Sequence, residues 1–300
     1  MSGGAETTGG GRSASKTWKA IDGFGPIARA RSMAGACRRA ALSWGGRLGL
    51  VDPIRCAFGI KEVRDTDLFI VSYPRSGNTW TRYVLAYLDR GVDSTIAYDE
   101  VGAIVPDAYY SAERINATPG RRIIKIHEPF LEACPRVVYV HRDYRETLVS
   151  YWLFVRRFSG YDGSFSKFLH GPIPHEHGSW KEHIRALHRR RAADPETIFE
   201  IPYHGLVTDF GGTVGRLVEW SGIGAGVDIS VVQQRTTLAT LADEERRGGS
   251  AFNARTGSHF YADSGKGLEW RSYWSADDMA WLARDRELVA LMEGLGYHWA

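Results

Sequence analysis

Three short stretches of the chain concentrate residue types that bind anions or move protons. The first is YPRSGNTW, residues 73–80, where Arg75 brings a fixed cation and Ser76, Asn78 and Thr79 bring short donors around Gly77. The second is RIIKIHEPF, in which Lys125 and His127 stand two apart. An extended backbone puts both on one face, and a cation beside a titratable imidazole suits an anionic reactant and the removal of a proton. The third is VVYVHRDYRETLVSYW, where Arg142 offers a forked donor and Ser150 a hydroxyl, a pair able to bracket a phosphate. Each stretch also fits a plainer role. The first can be a strand-to-helix turn that binds nothing, the second a surface histidine beside a solvated lysine, and the third an Arg142–Asp143 pair at a helix start.

The surrounding pattern says what must position these groups. Leu68, Phe69, Ile70 and Val71 form a continuous apolar run, the mark of a buried strand. After it, Trp80, Tyr83, Val84, Tyr87 and Leu88 recur at the spacing of one helix face. Residues 73–80 therefore join a strand to a helix. The first amide N–H groups of that helix have no internal partners and carry the positive end of its dipole, which favours an anion. Further strands are expected at 122–126, 136–140 and 198–202, and helices at 77–90, 144–157, 179–191 and 211–221. Ser275 and Asp278 have the spacing of a capping box, and Trp274 and Met279 that of a hydrophobic staple. Alternating strands and helices predict an α/β fold, a three-layer αβα sandwich with a central, mostly parallel sheet. Its P-loop-like strand–loop–helix anion site would lie at the carboxyl ends of the strands, where such sheets bind ligands.

Composition narrows the class. The chain has 300 residues, 43% apolar and 24% charged, with a net charge of +3. That balance speaks against a nucleic-acid partner. Cys37, Cys56 and Cys134 show no CxxC spacing, so neither zinc nor a disulfide framework is indicated, in keeping with a reducing cytoplasm. There is no run of eighteen apolar residues and hence no expected transmembrane helix. Residues 1–16 are rich in Gly, Ser and Thr and read as a disordered tail. Residues 17–60 read as a basic helical segment, with Arg29, Arg31, Arg38, Arg39 and Arg47 among apolar neighbours between 26 and 50. It is either a helix on a membrane surface or, the favoured reading, a helix packed on the main domain with solvated arginines. Residues 61–300 form that domain, and no internal repeat is visible.

Together the three stretches resemble the PAPS-dependent sulfotransferases of the soluble, cytosolic and bacterial type. YPRSGNTW is similar to the family's 5′-phosphosulfate loop, usually YPKSGTTW. The Lys-Ile-His of the second stretch is similar to the segment whose histidine is the catalytic base, and RDYRETLVSYW to the 3′-phosphate motif. Weaker matches follow in the family's order: GSWKEHI at 178–184, IFEIPYHGL with Tyr203, TTLATL with Thr236, and GKGLEWRSYWS with Lys266 and Gly267. The resemblance spans roughly 65–297. It implies a cosubstrate, PAPS (3′-phosphoadenosine 5′-phosphosulfate), and a product, PAP, with no metal. It places Arg75, Ser76, Gly77, Asn78 and Thr79 at the 5′-phosphosulfate and Arg142 and Ser150 at the 3′-phosphate. Trp80, Tyr203 and Thr236 fall near adenine, His127 becomes the general base, and Lys125 lies close to the transferring group.

The chain departs from the family pattern in several places. Arg75 stands where most members have Lys, and it cannot give up its proton. A leaving phosphate, with a second pKa of about 6, departs as the anion and needs fixed positive charge only. Asn78 replaces a common Thr, Tyr144 a Pro, and His204 a Glu. Matching on Trp270 leaves Asp263 and Ser264 where a basic pair is usual, with Arg255 or Lys266 as the alternative substitutes. The short C-terminal dimer motif is not kept. A P-loop kinase or NTPase is the alternative, but its Gly-x-x-x-x-Gly-Lys-Ser/Thr loop is absent at 73–80. A non-catalytic anion-binding module is the third reading. The expected acceptor is a small-molecule or glycan hydroxyl. Tyr109, Tyr110, Phe154, Phe158, Tyr161, Phe165, Phe252, Phe260 and Tyr261 either line its pocket or pack a lid.

Overall fold

The computed structural model describes residues 40–42, 44–46, 48–97, 100–171, 173, 177–248 and 269–298. The expected tail, most of the basic segment, Lys266, Gly267 and the three aromatics Phe252, Phe260 and Tyr261 lie outside the described residues. Along the chain come α1 (Pro53–Phe58), β1 (Leu68–Ser72), α2 (Asn78–Arg90), α3 (Val101–Ile104), α4 (Ala112–Ala117), β2 (Ile123–Ile126) and β3 (Arg136–His141). There follow α5 (Tyr144–Ser159), α6 (Phe165–His170), α7 (Trp180–Ala193), β4 (Ile198–Pro202), α8 (Tyr203–Thr208) and α9 (Phe210–Ser221). The last helices are α10 (Ile229–Arg235), α11 (Leu238–Gly248), α12 (Ala276–Arg284) and α13 (Arg286–Glu293). All four strands and all four helices expected from periodicity are present, with ends within two residues of their sequence-based limits.

The four strands pair in parallel in the order β2-β1-β3-β4. Neighbouring side chains of each strand go to opposite faces. Phe69, Val71, Ile124, Ile126, Val137 and Tyr139 join one core with α1, α5, α7, α12 and α13. Leu68, Ile70, Ile123, Val138, Val140 and Ile201 join a second core with α2, α9, α10 and α11. Helices thus cover both faces, which is why β1 reads as an unbroken apolar run and is buried throughout. At the amino end of the sheet, Arg122 clamps Asp67, with both side chains almost fully buried. At the carboxyl end the chain leaves β1 toward β2 on one side and returns to β3 on the other. That switch of direction opens a crevice between β1 and β3.

Two local expectations meet differently. The Ser275 capping box forms as expected, with Asp278 Oδ2 accepting from Ser275 N–H at 3.1 Å. Helix α2 is buried on more than the one face its sequence marks, since Leu85 and Ala86 are as inaccessible as Tyr83 and Val84. It is wedged between β1 and the helices α3 and α10. Of the basic segment's described apolar residues at 40–50, Leu42 packs on the core, while Trp44, Leu48 and Leu50 stay exposed.

Candidate active site

The turn after β1 is held in an unusual backbone shape. Arg75 has φ 70°, the one non-glycine residue with positive φ among the described residues. A side chain there is strained by about 1–2 kcal/mol, the kind of outlier that marks a functional constraint. Gly77, at φ 108°, caps α2. A Cβ on it would meet Tyr203 Cδ2 at 2.7 Å, so glycine is needed for the ring to pack on the turn. Helix α2 has no capping side chain and no acidic residue in its first turn. Its N-terminal N–H groups are left to an incoming anion, with Thr79 half-buried beside them. Around them, Ser76 Oγ, Asn78 Oδ1 and Trp80 Nε1 are buried without a hydrogen-bond partner among the described residues. Buried polar atoms are rarely left so, which fits a cradle completed by a polar ligand.

The end of β3 faces this turn across the crevice. Arg142 Nε donates to Glu146 Oε2 at 2.9 Å, and its guanidinium lies 4.2 Å from the centre of the Tyr203 ring. The plainer reading of Arg142 as the partner of Asp143 is not met. Asp143 is held by Arg145, whose Nη2 donates at 2.6 Å, and it caps α5 through the Arg145 N–H. The reason is helical geometry, since Arg142 and Glu146 are four apart and meet along the helix start. Ser150 is buried two turns into α5, and its Oγ accepts from Arg75 Nε at 3.3 Å. The first and third stretches thus touch. Arg75 also lies over the Phe154 ring at 4.9 Å. Tyr203 meets Trp80 edge-on at 5.9 Å, and Trp80 stacks on Phe210 at 6.1 Å. Thr236 is buried at the end of α10 with its hydroxyl donating to the Val232 carbonyl at 2.8 Å.

On the other side of β1 stands His127. Its Nδ1 lies 2.9 Å from the carbonyl oxygen of Ser72, the last residue of β1. A carbonyl only accepts, so Nδ1 carries the proton and Nε2 is the free base of the neutral ring. Burial, first, and then the Lys125 charge hold the imidazole well below its usual pKa, against the Ser72 bond that raises it. The other face of Ser72 serves the turn, because its Oγ accepts from Asn78 Nδ2 at 3.1 Å. One residue ties the base to the anion cradle.

Lys125 points into a different set of contacts. Its Nζ pairs with Asp107 Oδ2 at 2.8 Å and lies 5.0 Å from the centre of the Tyr109 ring. Burial lowers its pKa and Asp107 opposes the shift. Tyr109 connects it to His127, whose backbone N–H donates to the Tyr109 hydroxyl at 3.1 Å. That hydroxyl donates to Glu128 Oε2, and His177 Nδ1 stands 3.0 Å from it and 3.2 Å from Glu128 Oε1. Asp107 and His177 lie outside the three stretches, and no local spacing announces them. Glu128 and Glu146 stand inside two of the stretches, beside His127 and four residues after Arg142, and the sequence reading does not single them out. Of the candidate pocket aromatics, Tyr109 belongs to this cluster and Tyr110 is exposed. Tyr161 and Phe165 pack in the core against Phe168 and Trp274. Among the described residues no group of three or more His, Cys, Asp or Glu stands close enough to hold a metal ion, and no helix is long and apolar enough to cross a membrane.

A neutral imidazole base, a positively charged turn and a helix start without a capping side chain, all anchored on one strand end, can activate a hydroxyl next to a bound anion. Comparison with known proteins gives the family and the fold. The family model of the sulfotransferase domain matches residues 65–279. Sulfotransferase 2B1 of Mus musculus is 28% identical over 214 residues, which cover 65% of this chain and 62% of that protein. Cytosolic sulfotransferase 1 of Danio rerio is 26% identical over 189 residues, covering 55% and 62%. The chain thus spans about three fifths of the length of the curated relatives it matches. Among solved structures, mouse sulfotransferase SULT7A1 complexed with PAP has a TM-score of 0.56 at 18% identity, covering 77% of this chain and 86% of that one. Retinol dehydratase in complex with androsterone and inactive cofactor PAP has 0.55 at 18%, covering 79% and 83%. At such identity these likenesses speak for the fold.

Proposed function

The chain belongs to the sulfotransferase domain family, and we propose that it moves the sulfuryl group of PAPS to an acceptor hydroxyl and releases PAP. The observation that carries this reading is the double use of Ser72. Its carbonyl fixes His127 as a neutral base and its hydroxyl holds Asn78 of the anion cradle, so base and cradle are set side by side.

PAPS supplies an activated sulfuryl group and a leaving phosphate. The first N–H groups of α2, with Ser76, Asn78 and Thr79, hold the 5′-phosphosulfate, and Arg75 balances the charge that grows on the leaving oxygen. The partnerless Ser76 Oγ and Asn78 Oδ1 fit that use, Asn78 through a bridging water, because an amide oxygen accepts. Arg142 and Ser150 hold the 3′-phosphate, with Arg142 turning from Glu146. Trp80 and Tyr203 flank adenine, with Thr236 nearby, and Lys266 and Gly267 belong to the same nucleotide site by family likeness. His127 Nε2 takes the acceptor proton as the new sulfur–oxygen bond forms. Lys125 keeps that ring neutral through its charge and lends positive potential to the transferring group. Positioning and fixed charge do most of the work, as in phosphoryl transfer, without a metal.

The acceptor is a small-molecule hydroxyl. Retinol dehydratase structures hold androsterone and retinol, both alcohols. Here an open cleft of about 760 Å³ is lined by Phe58, Gly102, Ala108, Tyr109, Tyr110 and Arg114, and Tyr109 also touches His127. The test is titration with PAP, PAPS and ATP, with and without magnesium, followed by an acceptor screen with labelled PAPS. PAP and PAPS should bind without magnesium. His127→Ala should lower turnover by about 10²–10⁴-fold with PAP affinity nearly unchanged. Magnesium-dependent ATP binding tighter than PAP binding would instead make the protein a kinase or NTPase.

A further inference from the structure

His177 repeats, by another route, the arrangement that makes His127 a base. Its Nδ1 is engaged by Glu128 Oε1 at 3.2 Å and by the Tyr109 hydroxyl at 3.0 Å. The hydroxyl proton goes to Glu128 Oε2. A carboxylate only accepts, so Nδ1 carries a proton, and in that tautomer Nε2 is an acceptor. Glu128 is buried and has both oxygens used by these two partners, which fixes the plane of the ring. The His177 side chain remains 24% exposed, and its ring centre lies 5.2 Å from that of His127. Two imidazoles, each locked at Nδ1 by the protein, stand together on the acceptor side of β1. The sulfuryl-transfer reading uses only one of them.

We propose that His177 recognises the acceptor: its Nε2 takes a hydrogen bond from a second donor group adjacent to the hydroxyl that reacts at His127. The acceptor class is then one with two neighbouring donors, a 1,2-diol or a catechol. This rests on the sulfuryl-transfer reading and sharpens its substrate. A site built to receive two donors binds an analogue lacking one of them less well, because an acceptor atom is left facing the ligand without a partner. Glu128 and Tyr109 act through His177 and are positioning residues.

The experiment measures sulfate transfer from labelled PAPS by the full chain to two matched pairs: catechol against 2-methoxyphenol, and cis-1,2-cyclohexanediol against cyclohexanol. The wild type should prefer the two-donor member of each pair in kcat/KM. In His177→Leu that preference should shrink about fivefold to tenfold, chiefly through KM, the size of one lost neutral hydrogen bond. His177→Gln, which keeps an acceptor oxygen, should recover part of it. Glu128→Gln, which keeps the volume and the histidine, should fall between, and it carries the test if His177→Leu melts early. Transfer to both members with the preference unchanged in His177→Leu and Glu128→Gln overturns the role of His177 alone. Failure of the wild type to sulfate either two-donor member, while it sulfates an acceptor with a single donor, overturns this inference alone. Failure to bind PAP and PAPS overturns the sulfuryl-transfer reading and this inference with it.

Discussion

The polar atoms on the two sides of β1 are in opposite conditions. Toward β3, the cradle leaves Ser76 Oγ, Asn78 Oδ1 and Trp80 Nε1 buried without partners and holds Arg75 at φ 70°. Toward β2, Asp107, Lys125, Tyr109, Glu128, His177 and His127 form a connected network of bonds to one another and to Ser72. The first side is a half-finished hydrogen-bond network, and the second is finished except at Nε2 of His127 and His177. A half-finished network stores affinity for something that completes it, at a cost to the fold. A finished network fixes the geometry and the proton positions of groups that must act on something passing by. Removing a side chain from the first should hurt nucleotide binding more than stability, and removing one from the second should leave nucleotide binding nearly intact while it alters turnover or acceptor preference.

The largest test of that contrast is Arg75. Arg75→Met should lower kcat by on the order of 10²–10³-fold, while Arg75→Lys retains much of it, because the leaving phosphate needs a cation of either kind. Arg75→Gly should be equally inactive yet melt within a few degrees of the parent, since relief of about 1 kcal/mol of backbone strain offsets lost packing. A collapse of melting temperature in these variants would make Arg75 a fold residue and erase the contrast. Next comes Arg142→Ala. PAP affinity should fall by about 1.5–3 kcal/mol, while adenosine 5′-phosphosulfate, which lacks the 3′-phosphate, is little affected. Equal weakening of both would leave Arg142 as no more than the partner of Glu146.

Trp80→Phe should weaken PAP by about 1 kcal/mol, roughly fivefold, with the fold retained by the Phe210 contact. The smallest effect concerns the acceptor side. The His127 pKa is depressed, so the acid limb of kcat/KM should lie below the ordinary value of 6.5. The Lys125 charge is part of the cause. Replacing the pair together, Lys125→Met with Asp107→Asn, should move the limb toward higher pH. The same depression makes the unfolded chain take up this proton first. The His127 contribution to stability is therefore full above 6.5 and lost as pH falls toward the folded value. A limb that does not move would mean that burial alone sets the ring.

The cradle side was the legible one. Strand, turn and helix are written consecutively from Leu68 to Arg90, and Arg142 and Ser150 lie eight apart on a strand end and its helix, so local periodicity sufficed. On the other side the sequence named His127, Lys125 and Tyr109 but not the bonds that join them to the rest. Tyr109, Glu128 and His177 are joined by bonds that span 19, 49 and 68 positions of chain, and no periodicity links residues so far apart. Lys125 was read by face alone. Its nearest charge, Asp107, comes from a segment that pairs beside β2 through a single bridge, a contact invisible to a period-two argument. Glu146 sat in plain view four residues after Arg142, but Asp143 was the nearer carboxylate in sequence and the farther one in space.

The register of β1 also bears on how the protein comes off the ribosome. Leu68 pairs with Ile123 on one edge and with Arg136 on the other, 55 and 68 positions downstream. At about 5–20 residues per second of synthesis, this apolar strand waits roughly 3–14 s for its neighbours. Throughout that time both of its hydrogen-bonding edges are open to other chains. The segment that later positions base and cradle is thus the one most exposed to misassociation during synthesis. Its late, long-range pairing is expected to make expression yield depend on chaperone capacity and on growth temperature more than on the stability of the finished fold.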